Sequence, residues 1–335
     1  MGTWRCFAVI VAERRELLAP DQAGRLDRWL ADVLPLSRSR IQALVRDGLV
    51  EVDGRCVRPS MKLVGGERVM VEMPVMATTK AIAQDIPIEI CHIDPHLLVV
   101  VKPAGMVVHP SKGHPDQTLV NAVLHHIEAA EGPNPGDPFR PGIVHRIDKG
   151  TSGLLVVART SVAMAGLAEQ FAEHTVHRRY LALVWGTPTP AIDTIDAAVA
   201  RHPKDRVRFA VVDGGKRAVT HYRVHGTSRP SRTGSGGDVS LISCRLETGR
   251  THQIRVHLEH RGHPLVADPV YGAKLSRPSA WSPLLADLNH QMLHAARLGF
   301  VHPVTDRYLE FSAPLPEDYR GLLSVLGLSE DGLLV

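Results

Sequence analysis

Aromatic side chains and long apolar runs are scarce in this 335-residue sequence. Aromatic residues make up 4% of the chain, so we expect no surface on which many unpaired bases stack. No apolar run approaches the roughly 20 residues of a membrane-spanning helix, and the sequence therefore predicts no transmembrane segment. The apolar stretch 6–12 is short and is followed at once by Glu13, Arg14 and Arg15. We therefore expect no signal peptide and a cytoplasmic protein.

Cysteine is also rare, and the excess of charge of one sign is small. The cysteines are Cys6, Cys56, Cys91 and Cys244, and none has the C-x-x-C spacing of a zinc knuckle or a thioredoxin. The chain has 39 Lys and Arg against 35 Asp and Glu. This balance permits a polyanionic partner without demanding one. The length and the 44% hydrophobic content are typical of two soluble globular domains.

Two apolar stripes with helical spacing open the first organised segment, residues 24–74. The first stripe consists of Leu26, Trp29, Leu30 and Val33 and ends near Pro35. The second consists of Ile41, Leu44 and Val45, with an N-cap at Ser37 or Ser39 and an end at Gly48. Alternating valines then lead to Asp53-Gly54, a strong signal for a two-residue hairpin turn.

Arginines of the second predicted helix are candidates for RNA binding. Arg38, Arg40 and Arg46 lie on or beside this helix and could follow a phosphate backbone, although charge alone is equally compatible with a solvated helix face. Residues 24–74 also resemble, along their whole length, the RNA-binding module first described in small ribosomal subunit protein four. The resemblance implies a small α/β RNA-binding domain with its core at 24–74, and the remainder of residues 1–74 is an N-terminal extension. Periodicity lapses over 75–85, which predicts a linker.

A second, larger domain is predicted over residues 86–326, where strand and helix signals mix. Strands are predicted at 97–101, 154–158, 180–185, around 206–212, at 218–224 and at 241–246. Helices are predicted at 119–126, from an N-cap at Ser161, and at 251–261. The Gly- and Ser-rich stretch 226–238 is expected to be a flexible insertion.

The segment 142–158 holds the strongest candidate for chemistry. It reads G-I-V-H-R-I-D-K-G-T-S-G-L-L-V-V-A and places Asp148 between Arg146 and Lys149. These cations should favour the ionised carboxylate, which suits nucleophilic or electrostatic catalysis better than general-acid catalysis. A turn or cap aspartate is the alternative interpretation.

Two further segments could contribute to the same site. The stretch H-R-R-Y at 177–180 opens a strand and places a phenol, Tyr180, at its start. The stretch E-T-G-R-T-H-Q-I-R-V-H at 247–257 contains Arg250 and Arg255. A second cation close to Asp148 would orient the carboxylate. Taken singly, each of these residues is also compatible with an ordinary surface position.

Taken together, the three segments resemble the RluA family of pseudouridine synthases in order and spacing, over about residues 86–316. The resemblance implies an α+β catalytic domain built on a mixed, largely antiparallel sheet. It also implies roles for single residues. Asp148 matches the catalytic aspartate, Tyr180 the tyrosine that packs against the target base, and Arg146 the arginine that fills the gap left by the extruded nucleotide. Arg255 matches the basic partner of the aspartate, with Arg250 as a second candidate.

The resemblance further implies the reaction and the partner. Uridine would become pseudouridine in large-subunit (23S) ribosomal RNA, after the nucleotide has been flipped out of its stack. This isomerisation requires no metal and no cofactor, and we expect a monomer. The segment has Ile147 where the family usually has leucine, an exchange of apolar isomers with no catalytic consequence.

Other functions remain open at this point. His257, His260 and His263 recur every three residues, but Gly262 and Pro264 should end the helix before the third histidine joins the others, which disfavours a metal site. A glycosidase would need two carboxylates around the bond, and Asp148 has no evident acidic partner. The serious alternatives are a non-catalytic RNA-binding ribosome assembly factor and a synthase for another rRNA or tRNA site. The isomerase hypothesis requires Asp148 to line a cleft within hydrogen-bond reach of a cation.

Overall fold

A computed structural model describes residues 11–34, 38–74, 81–110, 113–127, 141–228, 237–272, 285 and 288–333. The chain divides into two compact units, Met1–Thr79 and Lys80–Val335. Within the described residues, no helix is both long enough and apolar enough to cross a bilayer.

The first unit packs two helices against a small antiparallel sheet. Its elements are β1 (Val11–Leu18), β2 (Gly24–Arg25), α1 (Leu26–Val33), α2 (Arg38–Arg46), β3 (Val50–Val52), β4 (Arg55–Cys56), β5 (Lys62–Leu63) and β6 (Arg68–Pro74). Four strands form a sheet in the order β1-β6-β3-β4, and β2 pairs with β5. Asp53 and Gly54 have positive φ angles of 49° and 72°. The predicted hairpin turn is thereby confirmed, because such angles match the twist of the flanking strands.

Three details of this unit differ from the sequence prediction. Val33 is 46% exposed, whereas the next residue, Leu34, is 4% exposed and packs in the core. Ser39 lies inside α2 and does not cap it, while Ser37 lies outside the described residues. The strand β1 was not predicted, since its V-A-E-R-R-E-L-L sequence lacks strict alternation and it pairs with β6 alone.

A buried carboxylate ties the two helices of the first unit together. Asp27 accepts hydrogen bonds from Arg25 at 3.0 and 3.1 Å, from Arg38 at 3.0 Å and from Gln42 at 2.7 Å. The hydrogen bonds from Arg25 are the main reason why the pKa of Asp27 lies well below its usual range, with Gln42 and Arg38 contributing and burial opposing them. The ion pair therefore links the start of α1 to α2.

Replacing Asp27 by Asn should destabilise the protein and remove part of its acid sensitivity. Because the pKa of Asp27 is lowered in the folded state, its contribution to stability is present above about pH 4 and is lost as the pH falls below that value. Thermal unfolding of the full chain, followed between pH 2 and 7, measures this contribution. Asp32→Asn changes an exposed carboxylate on the same helix and should leave both properties unchanged. An identical acid profile for Asp27→Asn and wild type would contradict the assignment.

The second unit contains the remaining elements. They are β7 (Glu89–Ile93), β8 (Leu97–Lys102), α3 (Leu119–Ile127), β9 (Ser152–Ala158), α4 (Ser161–Ala172), β10 (His177–Trp185), β11 (Ile192–Asp196), β12 (Val199–Arg201), β13 (Phe209–Val211), β14 (Val219–Ser228), β15 (Val239–Leu246), α5 (Gln253–His260), β16 (Leu293–Val301), β17 (Tyr308–Ser312) and α6 (Glu317–Leu326).

In the described part of this unit, nine strands form one mixed sheet. The strand order is β11-β14-β15-β10-β16-β9-β8-β7, with β17 also paired to β16. The pairs are antiparallel except for β9 and β16, which run parallel where His294 faces Ser152 and Ala295 faces Gly153. This arrangement confirms the predicted α+β class with a largely antiparallel sheet. The central strand β10 carries fully buried side chains such as Leu181 and Leu183, which explains its clear sequence signal.

Several predicted boundaries in this unit were wrong. Thr160, and not Ser161, caps α4, because the Thr160 hydroxyl accepts a hydrogen bond from the Ala163 amide at 3.3 Å. The strand predicted around 206–212 is the shorter β13, which pairs with the unpredicted β12. Residues 226–228 of the expected insertion continue β14, and 229–236 lie outside the described residues.

The predicted linker is described only in part. Residues 81–85 have no regular structure, but their backbone is bound to α3. Asn121 exchanges hydrogen bonds with the backbone of Ile82 and Gln84 at 2.8 and 2.9 Å. This end of the segment therefore belongs to the second unit, and residues 75–80 lie outside the described residues.

Candidate active site

Asp148 lies in a tight turn that leads into β9. The Thr151 amide donates to the Asp148 carbonyl at 3.0 Å, and the Gln291 side chain donates to the Thr151 hydroxyl at 2.9 Å. Gly153 follows with a φ of 114°, and a Cβ there would collide with the carbonyl of Ala295 on β16. Only glycine allows this close approach, so the glycines of the motif fix the loop against β16.

Arg255, on α5, holds the carboxylate of Asp148. Its Nη1 lies 2.9 Å from Asp148 Oδ2, and the side chains of Arg255 and Asp148 are only 5% and 17% exposed. The other side of the guanidinium makes a two-pronged pair with the buried Asp268, at 2.7 and 2.9 Å. Burial alone would lower the pKa of Arg255, but the hydrogen bonds and charge of Asp268, and then Asp148, raise it above its ordinary value. Arg255 is therefore a permanent cation with fixed orientation.

A cavity with about 410 Å³ of free space, its open mouth included, lies at this ion pair. Its apolar wall includes Tyr180, Leu246 and Leu293, and its polar side includes Asp148 and Arg255. Tyr180 is 7% exposed, and burial raises the pKa of its phenol, so the ring stays neutral. A flat aromatic wall facing a carboxylate suits a planar, uncharged ring such as a nucleobase. Asp148 thus meets both requirements of the isomerase hypothesis, a cleft and a cation in reach.

Comparison with known proteins agrees with this geometry. Residues 96–260 match the family model of RNA pseudouridylate synthases, and residues 24–69 match that of the S4 domain. The chain is 45% identical to ribosomal large subunit pseudouridine synthase D of Xanthomonas campestris pv. campestris, over 93% of this chain and 92% of the relative. The chain belongs to the RNA pseudouridine synthase family. Family membership makes the protein an isomerase that acts on RNA.

Two more comparisons describe the breadth of the match. The synthase is 48% identical to the protein of the same name in Zymomonas mobilis subsp. mobilis, over 91% of this chain and 94% of the relative. The solved structure titled human RNA pseudouridylate synthase domain containing 1 is 25% identical, with a TM-score of 0.54, over 70% of this chain and 86% of that one. The predicted resemblance and fold class are thereby confirmed.

The remaining predicted site residues occupy different positions around the cavity. Arg146 is exposed, lines the cavity and a neighbouring one of about 1060 Å³, and makes no hydrogen bond or ion pair with the described residues. Arg250 also lines the cavity, but its Nε donates to the Arg217 carbonyl at 3.1 Å. Of the two arginines considered as the partner of Asp148, Arg255 is the one in contact with it.

The predicted RNA-binding arginines of the first unit differ in their contacts. Arg38 is ion-paired with Asp27 and still 46% exposed. Arg46 is exposed and donates from Nε to the Gln42 carbonyl at 3.0 Å. The side chain of Arg40 lies outside the described residues. A fixed, partly exposed guanidinium such as that of Arg38 is well suited to a phosphate.

Lys102 is a site residue that the sequence analysis missed. It ends β8 with a fully buried side chain, and its ammonium donates to the carbonyls of Pro103, Met106 and Lys149 at 2.7, 2.8 and 3.1 Å. Burial lowers the pKa of Lys102 to about 7, and the charge of Asp148 opposes this effect. Lys102 therefore braces the backbone next to Asp148. The sequence pattern that could have indicated this role is a lysine at the end of an apolar strand, followed by P-A-G.

His252 is the second missed residue. It precedes α5 with a left-handed φ of 57°, a conformation that is uncommon for residues other than glycine. Its Nε2 lies 4.0 Å from Asp148 Oδ1, and its Nδ1 shares a hydrogen bond of 2.8 Å with the Tyr271 hydroxyl. Two of the histidines considered as metal ligands have structural partners instead, since His257 bonds Thr220 and His263 bonds the Trp185 carbonyl, each at 2.9 Å.

Asp268→Asn should slow the synthase although Asp268 does not line the cavity. The amide offers one acceptor oxygen where the carboxylate offers two, so Arg255 loses its fixed orientation and Asp148 is displaced. A misplacement of this kind lowers the rate by about 100-fold, mainly in kcat, which release of tritium from 5-tritiated uridine in RNA measures. Asp193→Asn, which breaks an ion pair of 2.9 Å with the partly exposed Arg261, should have little effect. Equal rates for the two variants would contradict the positioning role.

Proposed function

We propose that this synthase converts specific uridines to pseudouridine in 23S ribosomal RNA. The proposal depends above all on one observation, the ion pair of 2.9 Å between Asp148 and Arg255 at the wall of a cavity. The names of the relatives in Xanthomonas and Zymomonas support large-subunit rRNA as the substrate. The protein is proposed to act as a monomer in the cytoplasm.

In the proposed reaction, the nucleotide leaves its stack and the uracil enters the cavity against Tyr180. Flipping costs a few kcal/mol. Arg146, which is exposed and lines the cavity, fills the gap in the stack and offsets that cost. The N1–C1′ bond breaks, the uracil turns, and C5 bonds to C1′. The hydrogen on C5 leaves as a proton and N1 gains a proton, so the reaction is an isomerisation and needs no cofactor or metal.

Asp148 is the proposed catalytic residue. Either it attacks the nucleotide covalently or it removes a ribose proton, and both steps need an ionised, oriented carboxylate. Arg255 supplies that orientation, and the backbone bonds from Lys102 keep the turn rigid. Arg250, which also lines the cavity, is proposed to contact the substrate there. Since the side chains of Asp148 and Arg255 are only 17% and 5% exposed, the charge of Asp148 is screened less there than on an open surface.

The first unit is proposed to anchor the RNA. Its arginines Arg38, Arg40 and Arg46 contact phosphates, as expected for an S4 domain, and do not read sequence. The proposed organisation is an RNA-binding domain within 1–74, a linker at 75–85 whose residues 81–85 are bound to the second unit, and a catalytic domain at 86–326. Because the first unit is proposed to bind RNA and the second to catalyse the reaction, each role can be tested separately.

Asp148→Asn should bind RNA normally and form no pseudouridine. Asparagine keeps the size and one oxygen of aspartate but cannot attack or remove a proton as a carboxylate does. Tritium release from 5-tritiated uridine in transcribed 23S rRNA measures the reaction, and filter binding of the same RNA measures affinity. Equal tritium release by wild type and variant would falsify the assignment of Asp148.

Pseudouridine mapping of total RNA from a strain that carries only Asp148→Asn identifies the target. Large-subunit sites that are modified in wild type should be unmodified in this strain. If sites in tRNA are unmodified instead, the enzyme class stands and the proposed substrate is wrong. If every site is still modified while RNA binding persists, the non-catalytic assembly factor becomes the better description.

Deletion of residues 1–75 should weaken binding of 23S rRNA and make it less sensitive to salt. Removal of each bond between an arginine and a phosphate reduces the slope of log Kd against log salt concentration by about one. The catalytic domain should remain folded, as judged by its thermal unfolding transition. Unchanged affinity and slope would remove the first unit from the RNA-binding surface.

A further inference from the structure

A second basic surface lies on the sheet of the catalytic unit, outside the cavity described above. A groove of about 490 Å³ is lined by His177, Arg178, Arg179, Arg245, Arg297 and Glu310. We call it the basic groove. Four of its lining residues are arginines and one is acidic, so its field is positive.

Three of these arginines face one another across adjacent strands. Arg179 on β10 is directly opposite Arg245 on β15 and also directly opposite Arg297 on β16. Directly opposed side chains lie about 5 Å apart at Cβ, and like charges there destabilise a sheet. Arg297 is paired with Glu310 at 3.3 Å. Arg179 and Arg245 are exposed and form no ion pair with the described residues.

The basic groove is separate from the cavity that holds Asp148. Successive side chains of a strand point to opposite faces, and β10 and β15 pair without a shift from Arg179 opposite Arg245 to Tyr180 opposite Cys244. Tyr180 lines the cavity and Arg179 lines the groove. Arg179 therefore points away from the cavity. Arg178, which also lines the groove, points to the side of Tyr180 and lies next to Gly249 of the cavity, so the groove and the cavity are neighbours that share no lining residue.

Neighbouring residues extend the positive surface. Arg223 on β14 is opposite Ser243, and His225 bonds the Ser243 hydroxyl at 2.8 Å. Burial, and then the charges of Arg223 and Arg179, lower the pKa of His225. The charges of Arg223 and Arg179 therefore reach His225, which lies beside the groove residues on the sheet.

We propose that the basic groove binds the phosphodiester backbone of the substrate RNA, at a segment distinct from the nucleotide that reaches Asp148. The repulsion between the opposed arginines destabilises the sheet when no ligand is bound. Phosphate groups suit this site, since a guanidinium group binds two phosphate oxygens through a pair of hydrogen bonds. One RNA segment is then held at the cavity and another at the basic groove. The inference rests on the proposed RNA substrate and is independent of the chemistry at Asp148.

The test compares binding of transcribed 23S rRNA by full-length variants at a series of salt concentrations. Arg179→Gln/Arg245→Gln should bind about tenfold more weakly at 150 mM salt, with the slope of log Kd against log salt reduced by about two, one for each arginine. Arg245→Gln alone should reduce the slope by about one. Arg320→Gln, which removes an exposed arginine of α6 outside the groove, should leave the slope unchanged.

Two further measurements separate RNA binding from a structural role. The melting temperature of Arg179→Gln/Arg245→Gln should equal or exceed that of wild type, because the repulsion between opposed arginines is relieved. Arg179→Lys/Arg245→Lys keeps both charges and should keep the salt slope. If the Gln and Lys variants lose affinity equally, or if the Gln variant keeps the wild-type slope, the proposal is wrong.

The same samples distinguish failure of this inference from failure of the proposed function. Wild type that binds 23S rRNA with the expected slope but releases no tritium would refute the proposed reaction and leave the groove inference standing. Wild-type tritium release together with unchanged slopes in the groove variants would refute the inference alone.

Discussion

The buried ion triad of Asp148, Arg255 and Asp268 is the constraint on which the catalytic unit depends. One guanidinium is shared by two carboxylates, of which Asp268 is fully buried and Asp148 faces the cavity. Burying a charge is costly unless every partner is in place. Asp268 meets this condition because its Oδ1 also accepts from the Val270 and Tyr271 amides at 2.9 and 3.0 Å. The position of the Asp148 carboxylate is therefore fixed during folding.

Tyr271 connects this triad to the surrounding loops. Its ring lies 4.9 Å below the Arg255 guanidinium, and its hydroxyl bonds both the Phe209 amide and His252. One fully buried side chain, that of Tyr271, thus connects the hairpin of β12 and β13, the start of α5 and the ion triad. Such a shared support keeps the cavity in shape when no RNA is bound.

Much of the fold and of the site could be predicted from the sequence, for identifiable reasons. The apolar strand before Lys102 and the strand that ends at Trp185 are long and buried on both faces, so their signals are clear. Asp148, Tyr180 and Arg255 were found because their motifs are contiguous in sequence. The ion pair of Arg255 with Asp268, and the choice of Arg255 over Arg250, depend on tertiary contacts that no local pattern encodes.

Other misses have physical causes of the same kind. The edge strand β1 is polar and pairs on one side only, and Thr160 rather than Ser161 caps α4 because a one-residue shift hardly alters the local pattern. Lys102 was overlooked because lysines are seldom buried. Its burial is possible only because three carbonyls, one of them from Lys149 far along the chain, meet at its ammonium group.

The placement of β16 between β10 and β9 also determines when the enzyme can first work. The ribosome delivers Asp148 and Arg255 well before β16, yet the turn of Asp148 is completed only by Gln291 and by the Ala295 backbone against Gly153. A nascent chain that has emerged as far as α5 therefore contains both Asp148 and Arg255 in an unfinished sheet. The turn of Asp148 is therefore complete only after the chain has been synthesised as far as Ala295 and β16 has joined the sheet.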